Sequence, residues 1–130
     1  MSNYTLPPSP EDIGDLADRA LAAIPSTLRA KVRGVSILVE EVADDETLAE
    51  LGMDNGWELT GLYRGTPFGQ ADAGHIPHAP DMIVLYREPI LLEWIETGED
   101  LFSLVRTVLI HEIAHHFGFS DAEIAALESE

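Results

Sequence analysis

From about residue 100 to residue 117 the chain carries Leu101, Leu104, Val105, Val108, Leu109, Ile110 and Ile113, a spacing that is helical but apolar on almost every face. A helix of that kind has to sit in the middle of a core, with other elements packed around it. Its C-terminal end nevertheless reads HEIAHHFGFSD, residues 111–121, which crowds histidines and acids onto the last turn and the segment after it. The fold must therefore bury one end of this helix and give the other a polar purpose.

A chain of 130 residues, 45% of them hydrophobic, can build one modest core, so one domain spanning residues 1–130 is expected. Residues 1–8 are polar and Pro-bearing and read as a loose N-terminal arm. Ser9-Pro10-Glu11-Asp12 then supplies a cap, a first-turn proline and early acids, which opens a helix. Ile13, Leu16, Ala17, Ala20, Leu21 and Ile24 lie on one face of it, and Pro25 stops it. Residues 35–42 are rich in β-branched types and predict a strand, followed by a short helix over about 47–51. A second strand is expected over 58–63 and a buried one over 82–86, with Pro89 opening a helix to about residue 95. The Gly- and Pro-bearing stretch 64–81, which holds His75 and His78, reads as a long loop. Helices mixed with a small sheet give the α+β class.

Twenty-four acids against seven Lys and Arg give a formal charge of -17, which repels phosphate backbones and anionic lipid head groups. Nucleic-acid and membrane partners are not expected. The absence of cysteine removes disulfides, thiolate nucleophiles and Cys-based zinc sites, so any metal must be held by His and carboxylates. The N-terminal segment lacks a basic region followed by an apolar run, and a cytoplasmic protein is expected.

His111 and His115 are four apart and on a helix project from one face, one turn above the other, which places two imidazoles for one ion. Glu112 lies about 100° further round, where a carboxylate reaches a water near the metal without joining the ligands. That is the position of a general base. A catalytic zinc usually takes a third protein ligand and keeps one position for water. Gly118 can end the helix in a left-handed conformation and turn the chain back, which brings Asp121 toward the pair. Asp121 also reads as part of a capping sequence, Ser120-Asp121-Ala122-Glu123, at the start of a last helix, and the two roles can coexist.

HEIAHHFGFSD resembles the zincin metallopeptidase signature H-E-x-x-H-x-x-G-x-x-H/D, with Asp121 in the slot usually held by His. With DMIVLYREPI ahead of the motif, the chain is similar to the small bacterial minimal-zincin family over about residues 30 to 125. The larger metzincins carry a methionine turn after the third ligand, and no Met follows Asp121 here. The resemblance implies a minimal zincin-like domain, with a small mixed sheet packed on the active-site helix. It implies Zn2+ on His111, His115 and Asp121, Glu112 as base, and a peptide or protein substrate aligned on an edge strand near Tyr63 or Tyr86.

Blander roles compete at several positions. His116 is offset by one residue from His115 and reads as a supporting or surface histidine. His75 and His78 read as exposed loop residues, with a lid over the metal as the sharper alternative. Tyr63 and Tyr86 read as strand or core residues, although a tyrosine near the metal could steady an oxyanion. Two rival readings of the whole motif remain: a zinc-binding or protein-interaction domain with a structural metal, and a metal-free relic.

Overall fold

The computed structural model describes residues 5–32, 34–65 and 81–130. The first helix, α1, is Pro10–Leu21. Ser9 caps it reciprocally: its hydroxyl accepts the Asp12 amide at 3.0 Å, and the Asp12 carboxylate accepts the Ser9 amide at 2.9 Å. Ile13, Leu16, Ala17 and Ala20 form its buried stripe. After Pro25 the chain adds a single helical turn, α2, Ser26–Arg29, which buries Leu28. One turn is too short to show a 3.6-residue period, so no sequence pattern marks it.

Three strands form one sheet in the order β1-β3-β2, with β1 Ser36–Glu40, β2 Gly61–Arg64 and β3 Met82–Tyr86. β1 runs parallel to β3, and β2 runs antiparallel to it. Among the described residues β3 is therefore the central strand and β2 an edge. Alternation along β3 splits its side chains between the two faces. Ile83 and Leu85 enter the main core, whereas Val84 and Tyr86 join Ala43 in a smaller cluster under α3, Asp45–Leu51.

The expected strand over 58–63 starts later than its sequence suggests. The Asn55 side chain accepts the Trp57 amide at 2.9 Å and turns residues Gly56–Glu58 into a tight 3-10 turn, so β2 begins only at Gly61. Residues 35–42 likewise shorten to β1. Conversely α4, Arg87–Thr97, starts two residues before Pro89, because a proline within the first turn removes an amide that has no helical partner there.

The last two helices are α5, Leu101–His116, and α6, Asp121–Glu128. α5 is the centre of the molecule, with Leu101, Leu104, Val105, Val108, Leu109, Ile110, Ile113 and Ala114 buried, as its all-round apolar sequence requires. α1 packs along it, and β2 crosses it closely. Among the described residues no helix is long and apolar enough to cross a membrane. Arg87 ties the start of α4 back to the N-terminal segment by donating from Nε to the Pro8 carbonyl at 2.6 Å and from Nη1 to Glu41 at 2.7 Å.

The crossing of β2 and α5 depends on Gly61. A Cβ there would stand 2.8 Å from Val108 Cγ1 and 3.4 Å from Glu112 Cγ, so any side chain pushes the strand off the helix. Gly61→Ala is expected to cost about 1–3 kcal/mol in urea unfolding. Val108→Ala in the same chain removes the clashing methyl, and the double variant should lose less than the sum of the single losses by at least about 0.5 kcal/mol. Strict additivity would contradict the role given to this contact.

Candidate metal centre

α5 delivers the site because its last turn emerges from the core beside β2 and α6. Gly118 adopts φ +81°, and the amides of Gly118 and Phe119 return to the carbonyls of His115 at 3.1 Å and Ala114 at 2.9 Å. This closes the helix and reverses the chain. Ser120 then caps α6 with Glu123 in a second reciprocal box, as the sequence suggests. Ile124 and Leu127 bury α6, so it lies back along the helix that carries the histidines.

The structure brings four side chains of metal-ligating type to this junction in two pairs. His111 and His115 share one face, with ring centroids 5.7 Å apart and planes nearly perpendicular. His115 Nε2 stands 3.8 Å from Asp121 Oδ1. His111 Nε2 lies against Oε2 of Glu128, a residue the motif does not include. Among the described residues no three His, Asp or Glu side chains stand together in an arrangement that could hold a metal ion.

The donor chemistry nonetheless fits a zinc-like cation. Two donors on one tetrahedral zinc, each about 2.0–2.2 Å from it, stand about 3.3–3.6 Å apart. The His115–Asp121 separation of 3.8 Å is within a small side-chain adjustment of that. Glu128 Oε2 is buried and receives no hydrogen bond among the described residues, an unsatisfied state that a cation would relieve. Asp121 itself is fully exposed at the first position of α6, where its charge also favours the helix N-terminus.

Glu112 faces the other way, toward β2. Its carboxyl lies near the backbone N–H of Tyr63 and its pKa is pushed up to about 7, chiefly by burial, with His115 and that amide pulling it partly back. The Tyr63 amide points out of the sheet because of the register. Tyr86 donates to the Thr60 carbonyl at 2.9 Å and Leu62 faces Val84, so Gly61 and Tyr63 direct their main-chain groups away from β3. A cleft of about 220 Å³ opens alongside, lined by Thr60, Glu93, Thr107, Val108, His111 and Glu112.

The remaining candidates fall into place around these. His116 stacks on Tyr63, with centroids 3.9 Å apart and planes at 18°, so it supports the strand and points away from the histidine pair. The Tyr63 hydroxyl donates to Asp81 Oδ2 at 2.6 Å, and burial together with Asp81 raises its pKa. Its ring and hydroxyl are thus both engaged. Tyr86 is buried in the cluster under α3. His75 and His78 lie outside the described residues. Glu128 is the group that sequence reasoning missed, and a signal existed: it sits four residues after Ile124 and next to Leu127, on the inward side of α6.

A family model described as zincin-like metallopeptidase matches residues 32–130 of the chain. No curated protein matches it.

The raised carboxyl of Glu112 has a measurable consequence in the metal-free protein. Its folded pKa of about 7 lies above the ordinary 4.5, so its stabilising contribution is complete below pH 4.5 and is lost as pH rises through about 7. Glu112→Gln cannot ionise. Its stability relative to wild type should therefore grow by about 1–3 kcal/mol between pH 4 and pH 8, read by urea unfolding in the presence of chelator. A difference that stays flat with pH would show that Glu112 is not desolvated.

Proposed function

This chain belongs to the zincin-like metallopeptidase family, and we propose that it is a zinc-dependent peptidase with Glu112 as its general base. The observation that carries this reading is the placement of Glu112: a desolvated carboxylate, one residue from His111, beside the outer edge of β2 and the cleft lined by Thr60 and Thr107.

His111, His115 and Asp121 would hold the ion, two through imidazole nitrogen and one through carboxylate oxygen. Bound zinc supplies Lewis acidity, which acidifies water and polarises a carbonyl. The other tasks belong to the chain. Glu112, with a pKa near neutrality, is suited to take a proton from the attacking water onto its carboxylate and to pass it to the leaving nitrogen. The outward main-chain groups of Gly61 and the Tyr63 carbonyl offer an extended peptide an antiparallel partner beside that carboxylate. β3 cannot serve this purpose because it is paired on both sides. The cleft next to Glu112 is of a size to receive one substrate side chain, with Thr60, Thr107 and Glu93 as its polar wall. The Tyr63 hydroxyl is engaged by Asp81 and is not free to steady an oxyanion.

Glu112→Gln separates base from ligands. The variant should keep zinc at wild-type stoichiometry while cleavage of a peptide library falls by at least about 100-fold. His111→Ala and His115→Ala should each lose the zinc. Undiminished cleavage by Glu112→Gln, or a wild-type protein that takes up no zinc, would overturn the proposal. Tight zinc binding with no Glu112-dependent cleavage would establish a structural metal instead.

A further inference from the structure

Glu128 is a carboxylate in contact with the histidine pair that the motif does not account for. It lies seven residues after Asp121, two helical turns along α6, at the level of His111. Its side chain is 28% exposed, against a fully exposed Asp121, and its Oε2 is buried without a hydrogen bond while touching His111 Nε2. An imidazole Nε2 can donate an N–H to a carboxylate or give its lone pair to a metal ion, but it cannot do both. Among the described residues Glu128 Oε2 accepts no hydrogen bond, and with the His111 lone pair turned to an ion that contact could supply none. A buried carboxylate oxygen left unpaired is a state that proteins avoid. An ion held by His111 is a group that can satisfy it.

We propose that Glu128 is itself a metal ligand, which closes the position that His111, His115 and Asp121 leave open. This rests on the zinc reading above and adds to it. A site with four protein ligands is closed, and a catalytic zinc needs one position free. In this arrangement α6 acts as a stopper, and the peptide bond can reach the ion only after Glu128 has swung away. Asp121 and Glu128 then have different tasks although they come from one helix: the first anchors the ion, and the second gates it.

The test uses the full chain loaded with Co2+ as a visible probe, together with zinc affinity by chelator competition. Glu128→Gln keeps the shape of the side chain and removes the charge. It should bind zinc about 10- to 100-fold more weakly than wild type. Its Co2+ spectrum should differ from that of wild type. Acetohydroxamate, a small chelating anion, should half-saturate the Co2+ site of the variant at a concentration at least about tenfold lower than in wild type, because no internal carboxylate competes for the position. Zinc affinity within about threefold of wild type together with an unchanged spectrum would overturn the assignment, as would equal acetohydroxamate affinity in the two proteins. If Glu128→Gln does not fold, Glu128→Ala takes its place, judged by circular dichroism of the metal-free protein. Wild-type protein alone also decides: Co2+ that binds acetohydroxamate without any rise in α6 mobility, measured by amide exchange around Ile124 and Leu127, contradicts a gate. Wild type that takes up no metal would sink the zinc reading itself, whereas metal binding insensitive to Glu128 would sink only this inference.

Discussion

The close crossing of β2 over α5 holds the site together, and it exists because Gly61 has no side chain. β2 can lie on α5 only where Val108 meets a bare backbone. That contact sets the height of the strand, and the height of the strand puts the outward amide of Tyr63 beside Glu112. Stacking of Tyr63 on His116 and its hydroxyl bond to Asp81 fix the same strand from its other sides. The histidine pair and Glu112 thus have different neighbours: α6 faces the histidines, and β2 faces the glutamate.

This division explains why Glu112 can sit beside two histidines without becoming a third ligand. One helical step turns it about 100° from His111, away from α6 and onto the strand. There burial raises its proton affinity while the amide and His115 limit the rise. A cation at the histidines acts in the same direction as His115 and favours the ionised form. The metal-free protein therefore keeps a carboxyl group under stress that loading with metal would relax.

Much of this was legible in the sequence, where the signal was local. The caps at Ser9 and Ser120, the apolar character of α5, the Gly118 reversal and the His111–His115 pair all depend on residues within one or two turns of each other. The misplaced boundaries were also local in origin: a side chain at Asn55 took an amide that a strand would have used, and Pro89 was tolerated inside a helix that had already begun. What could not be read was position in space. Gly61 looks like an ordinary break in a strand until Val108 is brought against it. Glu128 looks like one acid among twenty-four until α6 folds back onto His111.

The packing of α1 on α5 also sets an order of events during synthesis. Ile13, Leu16, Ala17 and Ala20 find their cover on a helix whose last residue is His116, and Arg106 donates to the Ala23 carbonyl across 83 residues of sequence. At ordinary ribosomal rates α1 waits roughly 5–20 s for that partner. The central strand β3 likewise follows both of its neighbours in the chain. The sheet can close only once β3 has emerged, and the core only once the histidine-bearing helix has followed it. An apolar stripe is left uncovered for that interval, and the -17 charge of the chain works against its association with other nascent copies.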